Sequence, residues 1–160
     1  MNLEKRSFKV YLSGSHHNKC PEFSIELNGV KYVSGILPPY SGNSNLYEFT
    51  VEDIPEGENV LSISFLNKSD HDTVLNAQGN IVNDLLLNID KIEIDDIDLG
   101  TLIWSHSVYE PNYSKSYSHH VAQKGETLPK QVTNCVNLGW NGTWKLSFTS
   151  PFYIWLLENM

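Results

Sequence analysis

The sequence predicts an all-β chain, two antiparallel sheets packed as a β-sandwich of jelly-roll type, with two long polar loops. Three observations carry that prediction. Apolar residues alternate with polar ones over short segments. Asn-Gly, Asp-Asp and Pro-rich turns separate those segments at regular intervals. Val, Ile, Phe, Tyr and Trp are prominent in an apolar fraction of 40%, a composition suited to strands. A chain of 160 residues fills one core and is short for two, so residues 1–160 are expected to form a single domain.

Ser7 to Leu12 alternates as a first strand. Phe23, Ile25 and Leu27 run into Asn28-Gly29, a two-residue type I′ turn, and Val30 and Tyr32 return on the same face. That register sets Glu26 against Lys31 on the outer face, a favourable cross-strand pair. After a loop from Gly35 to Asn45, Leu46 to Val51 reads as a strand and Pro55 to Glu58 as a turn. Asn59 to Leu66 is a strand with Leu61, Ile63 and Phe65 on one face. Asn67 to Asn83 loses periodicity and is expected to be the first long loop.

The alternation resumes at Asp84, and a hairpin turning at Asp95-Asp96 pairs Ile94 with Ile97 and Ile92 with Leu99. Glu93 then faces Asp98, a like-charge pair that requires either full hydration or a cation between them. Leu102 to Tyr109 reads as a strand and Tyr113 to Lys130 as the second polar loop. In the last quarter, Trp140-Asn141-Gly142 is expected to be a three-residue hairpin loop. Leu138 would then pair with Trp144 and Val136 with Leu146, leaving Trp144 in the core and Trp140 at a solvent-facing tip. Trp104 and Trp155 lie in apolar runs and are expected in the core. Phe152 to Leu157 reads as a strand or short terminal turn buried on both faces. The count, about nine or ten short strands and no helix, is that of a two-sheet sandwich.

Charge narrows the functional classes. The net charge of −8, from 19 acids against 11 Lys and Arg, comes without a basic cluster, which argues against a nucleic-acid partner. No apolar run reaches membrane-spanning length, and the first residues carry no secretory pattern. Cys20 and Cys135 are expected as two buried thiols, with a single bridge as the alternative.

Asn67, Asp70, Asp72 and Asp84 offer hard oxygen ligands at loop positions, the donor type calcium prefers; a solvated polar loop is the alternative. The spacing is not that of an EF-hand. The strand Leu61 to Asn67, the acidic loop after it and the segment Asp84 to Asp96 together resemble calcium-dependent xylan-binding modules. That resemblance implies a β-sandwich whose loop oxygens hold a calcium that contacts sugar hydroxyls. Asp96 stands where such hairpins usually carry glycine. The ending, Gly139 to Trp144 and Phe152 to Asn159, is similar to the ends of small β-rich proteins of tailed bacteriophages, marine ones included, which implies a virion component.

The His16-His17 and His119-His120 pairs fall in expected loops, where exposed imidazoles explain them more simply than a joint metal site. No nucleophile elbow, zinc-protease helix or phosphate-binding glycine loop is present, and carboxylate pairs such as Asp72 and Glu110 are arbitrary. Trp140, Tyr109, Tyr113 and Tyr117 are the residues expected to contact a ligand, since exposed aromatics stack on sugars or anchor interfaces. The leading expectation is a non-enzymatic structural or adhesion component of a bacteriophage virion. It would present sandwich-end loops to a cell-surface glycan or a neighbouring subunit, after assembly from the cytoplasm. The alternatives are a calcium-dependent carbohydrate-binding module and, third, a polysaccharide hydrolase. A homo-oligomer through a hydrophobic C-terminal patch is compatible with the charge.

Overall fold

A computed structural model describes residues 3–15 and 18–160 and confirms the all-β class with two antiparallel sheets. The strands are β1 (Leu3–Ser15), β2 (Glu22–Leu27), β3 (Val30–Ile36), β4 (Asn45–Pro55), β5 (Gly57–Phe65), β6 (Val74–Leu75), β7 (Ile81–Asn83), β8 (Leu86–Ile94), β9 (Ile97–Asp98), β10 (Ser107–Pro111), β11 (Val132–Thr133), β12 (Asn137–Leu138) and β13 (Gly142–Ser150). One sheet runs β12-β8-β1-β4, with β9 on β8; the other runs β11-β10-β13-β5-β2-β3. A small ribbon, β6-β7, stands apart.

Each sheet turns its apolar face inward. Phe8, Val10 and Leu12 of β1 and Leu87 and Ile89 of β8 meet Phe23, Ile25, Leu61, Ile63, Leu146 and Phe148 from the other layer in one buried cluster. Register shifts reconcile this with spacings of three. Between Tyr11 and Leu12 the pairing with β8 slips by one, so Ile89 and Ile92 both point inward while Asp90 stays exposed. The β8–β9 turn forms as expected, with Asp95 and Asp96 both at positive φ. Ile94 pairs with Ile97 and Glu93 with Asp98. Lys91 supplies a counter-charge to one member of this pair, its Nζ lying 3.0 Å from Glu93, while Asp98 is exposed to water.

The Asn28-Gly29 hairpin also forms, and Glu26 faces Lys31. A bulge after Ile25 pairs that residue with Val33 and leaves Val30 exposed, contrary to the expected face.

Several expected elements are corrected. Residues 102–109 are not one strand: Leu102–Ser105 form a short helix, α1, before β10. That places Trp104 outside the core, half exposed, whereas Trp155 is buried. The loop from Tyr113 to Lys130 contains helix α2 (Lys115–Gln123), capped by the Ser114 hydroxyl, which accepts from the Tyr117 N–H at 3.1 Å. The terminal apolar run is helix α3 (Phe152–Asn159), which buries Phe152, Trp155 and Leu156 and exposes Ile154 and Leu157. Its i, i+3, i+4 spacing is that of a helix lying on a sheet. Cys20 and Cys135 are half-buried free thiols. No helix among the described residues is long and apolar enough to cross a membrane.

The largest correction concerns the last quarter. Residues 136–146 are not a hairpin: β12 pairs with β8 in one sheet, and β13 pairs with β10 and β5 in the other. Trp140-Asn141-Gly142 is the corner where the chain changes layers. Leu138 and Trp144 are both fully buried, as expected, but they belong to opposite layers of the core.

Candidate functional site

The inter-sheet corner, the loop after β5 and helix α2 converge on one cleft of about 800 Å³. Asn141 fixes the corner to the loop. Its side-chain oxygen accepts the Lys68 N–H at 2.7 Å and its amide donates to the Lys68 carbonyl at 2.9 Å. On the other side the Asn141 carbonyl accepts the Asn112 N–H at 2.6 Å. Gly142 follows at φ +149°, packed so closely on Pro111 that a Cβ would come within 2.7 Å of its Cα.

Trp140 is not the bare hairpin-tip indole expected from the sequence. It is partly buried in an aromatic wall, stacked on Tyr117 at 4.7 Å between ring centroids and met edge-on by Tyr113 at 6.0 Å. The Lys68 ammonium lies 5.2 Å from the centre of the same indole ring. Tyr109 contributes from behind. It is 4% exposed, so the sequence expectation of direct ligand contact does not fit its position. Its hydroxyl donates to the Trp140 carbonyl and accepts the Trp140 N–H, which pins the backbone that carries the indole. Burial pushes the Tyr109 hydroxyl well above the usual tyrosine range. Tyr113 borders a separate groove, which also meets α2 at Val121.

The cleft is lined as well by Asp70, Thr73 and Asp84, with the exposed side chains of Leu75 and Ile81 from the β6–β7 ribbon. His120 of α2 joins the rim; its neighbour His119 bonds Gln123 at 3.1 Å. The other histidine pair, His16-His17, lies outside the described residues. Apolar surface beside convergent hydroxyl and carboxylate groups is the combination that binds small polar ligands.

Only two of the four expected metal ligands line this cleft, and none of the four carboxylate or amide groups is idle. Asp84 Oδ1 accepts from Lys68 Nζ at 2.5 Å, Thr73 Oγ at 2.6 Å and its neighbour Leu85 N–H at 2.9 Å. Asp72 is buried against Lys19 Nζ at 2.9 Å and the Ser69 N–H at 2.7 Å, closing the 3₁₀ turn Asp70–Asp72. Burial alone would raise the Asp72 carboxyl, but the bonds from Lys19 and Ser69 outweigh it and hold the group below the usual carboxylate range. Asn67 spends its oxygen on the Glu22 N–H and its amide on the Cys20 carbonyl. Asp70 accepts the Ser114 hydroxyl at 2.5 Å, tying the loop to α2.

The sandwich is similar in fold to vCBM60. That structure, the selenomethionine form of a protein described among two families of calcium-dependent carbohydrate-binding modules, aligns with a TM-score of 0.50 at 14% identity. The match covers 88% of this chain and 89% of the other. A second structure, vCBM60 in complex with galactobiose, aligns at 0.48 and 15% identity over 89% of this chain and 97% of that one. No family model matches the chain, and no curated protein does. The likeness to calcium-dependent modules read from residues 61–96 is thus met in the fold.

A calcium ion takes about six to eight oxygens, several of them from carboxylates with free lone pairs. The residues named for it do not supply that set. Two of the carboxylates are already neutralised by the chain's own lysines, and no group of three or more His, Cys, Asp or Glu among the described residues is placed to hold a metal.

Proposed function

We propose that the chain is a non-enzymatic carbohydrate-binding module, with the cleft between Trp140, Tyr117 and Asp84 as its site. The observation that carries this reading is that the stacked rings of Tyr117 and Trp140 line one cleft together with the carboxylates of Asp70 and Asp84 and the hydroxyl of Thr73. A pyranose presents an apolar face of C–H groups and a rim of hydroxyls, and the cleft lining supplies partners for both chemistries. Asp84 Oδ1 is saturated, and its other oxygen takes no hydrogen bond from the described residues, which leaves it to accept one from a sugar hydroxyl. The fold likeness to a calcium-dependent carbohydrate-binding module supports the reading.

A glycan array containing xylo- and galacto-oligosaccharides tests it. The wild-type chain is expected to bind, and Tyr117→Ala and Trp140→Ala are each expected to weaken binding about tenfold, or about 1.4 kcal/mol, with circular dichroism unchanged. Absence of binding by the wild type, or unaltered binding by both variants, refutes it.

A second reading, a virion subunit packed against a neighbour or a second copy, is favoured by one feature. The outer face of α3 leaves Ile154, Leu157 and Met160 exposed, Leu157 at 78%. Mass spectrometry of purified particles tests the virion location, and absence of the chain there removes it.

A further inference from the structure

We propose that the Lys68 ammonium takes the place of a metal as the fixed cation of the cleft, so that ligand binding there does not depend on calcium. The part concerning ligand rests on the carbohydrate reading; the part concerning calcium does not.

Three features of Lys68 carry the inference. Its side chain is 2% exposed, unusual for a lysine, and its ammonium is committed to Asp84 at 2.5 Å. Its backbone is held from both sides by Asn141, so the charge is anchored at its root as well as its tip. It also stands over the Trp140 ring, joining the carboxylate wall to the aromatic wall. A dication bound by Asp84 would have to displace this ammonium or sit beside it. Displacement strands a buried positive charge, and coexistence sets like charges together in a partly dry site. Asp72 does not substitute: it does not line the cleft, and its Oδ2 is already paired with Lys19 and bonded by both the N–H and the hydroxyl of Ser69.

The same contacts give Lys68 a positioning role. With Thr73 and Leu85 it fixes Asp84 Oδ1, so that the other carboxylate oxygen is held in one direction for a ligand hydroxyl.

The decisive experiment titrates calcium alone into the full chain by calorimetry and compares thermal unfolding in excess calcium with unfolding in chelator. No binding heat and midpoints equal within about 1 °C are expected, since a site occupied at about a hundred times its dissociation constant would raise the midpoint by about 5–10 °C. A calcium-dependent rise of that size, reversed by chelator, overturns the proposal. The glycan array is then repeated in chelator. Retained binding supports the proposal, whereas binding restored only by calcium overturns it and leaves the carbohydrate reading standing. Should no glycan bind in either condition, the carbohydrate reading falls, and the calcium titration still decides for or against an internal cation. The double variant Lys68→Met/Asp84→Asn removes both charges without stranding either. It is expected to fold with a near-parental midpoint and to bind glycan at least about tenfold more weakly, with or without calcium. Wild-type affinity in that variant overturns the positioning role.

Discussion

Replacing Tyr109 by Phe removes a single oxygen and tests how the indole of Trp140 is held. That oxygen is the partner of both backbone groups of Trp140, donating to its carbonyl and accepting its N–H at 3.1 Å. A typical net hydrogen bond contributes about 0.5–1.5 kcal/mol, so the loss of both predicts about 2 kcal/mol at pH 7. For a chain of this size that lowers the melting midpoint by about 4–8 °C. The same hydroxyl predicts a pH signature. Burial raises its ionisation above that of the unfolded chain, so its contribution is intact below about pH 10 and falls by about 1.4 kcal/mol per unit above it. Phenylalanine carries no such proton. The gap between wild type and variant should therefore shrink to under about 1 kcal/mol at pH 11, other tyrosines being common to both proteins. Urea unfolding followed by fluorescence at the two pH values measures it. A variant within about 0.5 kcal/mol of wild type at pH 7, or a gap unchanged at pH 11, would refute the reasoning.

Three further perturbations have defined outcomes. Gly142→Ala sets a Cβ against the Glu110 carbonyl and the Pro111 backbone at φ +149°, so it should cost about 3 kcal/mol or more; a smaller loss in urea unfolding would show that the corner can shift. Trp144→Ala empties a fully buried site and strands the Cys135 carbonyl that its indole bonds at 3.1 Å. About 3–5 kcal/mol of stability should be lost, and a loss under about 2 kcal/mol would contradict the core assignment. The Asp72 carboxyl is held below its usual range, so its stabilisation is present above about pH 4 and vanishes as pH falls through the folded value. In Asp72→Asn the stability should be lower at neutral pH and less steeply dependent on pH across that window, as followed by circular dichroism.

The legible parts of the fold were those encoded by neighbours in sequence. The Asn28-Gly29 and Asp95-Asp96 turns formed with Glu26 against Lys31 and Glu93 against Asp98, because turn chemistry and period-two alternation fix a hairpin locally. The helices carry local signals of their own, at a period of about 3.6 and not of two. Tyr117 and Val121 lie four residues apart behind the Ser114 cap, and Phe152, Trp155 and Leu156 trace one helical face. The last quarter was of another kind. Apolar alternation on both sides of an Asn-Gly turn is equally consistent with a hairpin and with two strands in opposite layers, since both bury Leu138 and Trp144. What separates them is the Asn141 clamp on Lys68 and the contact of Gly142 with Pro111, and neither partner is close in sequence.

The candidate site divides along the same line. Trp140, Tyr117, Asp70 and Asp84 are brought to one cleft, because polar loops at one end of a sandwich have only that rim to share. Their chemistry was not legible, because it depends on charges supplied from elsewhere. Asp84 read alone is an available ligand, and with Lys68 at 2.5 Å it is half of an ion pair; Asp72 changes character in the same way beside Lys19. A carboxylate in a loop declares its own charge but not its counter-charge, and the counter-charge decides whether a metal has any reason to bind. In this chain both counter-charges are lysines, and the one nearer the aromatic wall is also the one most buried. The cleft therefore carries its cation within the fold, and the affinity of the site for ligand should follow the integrity of the Lys68–Asp84 pair.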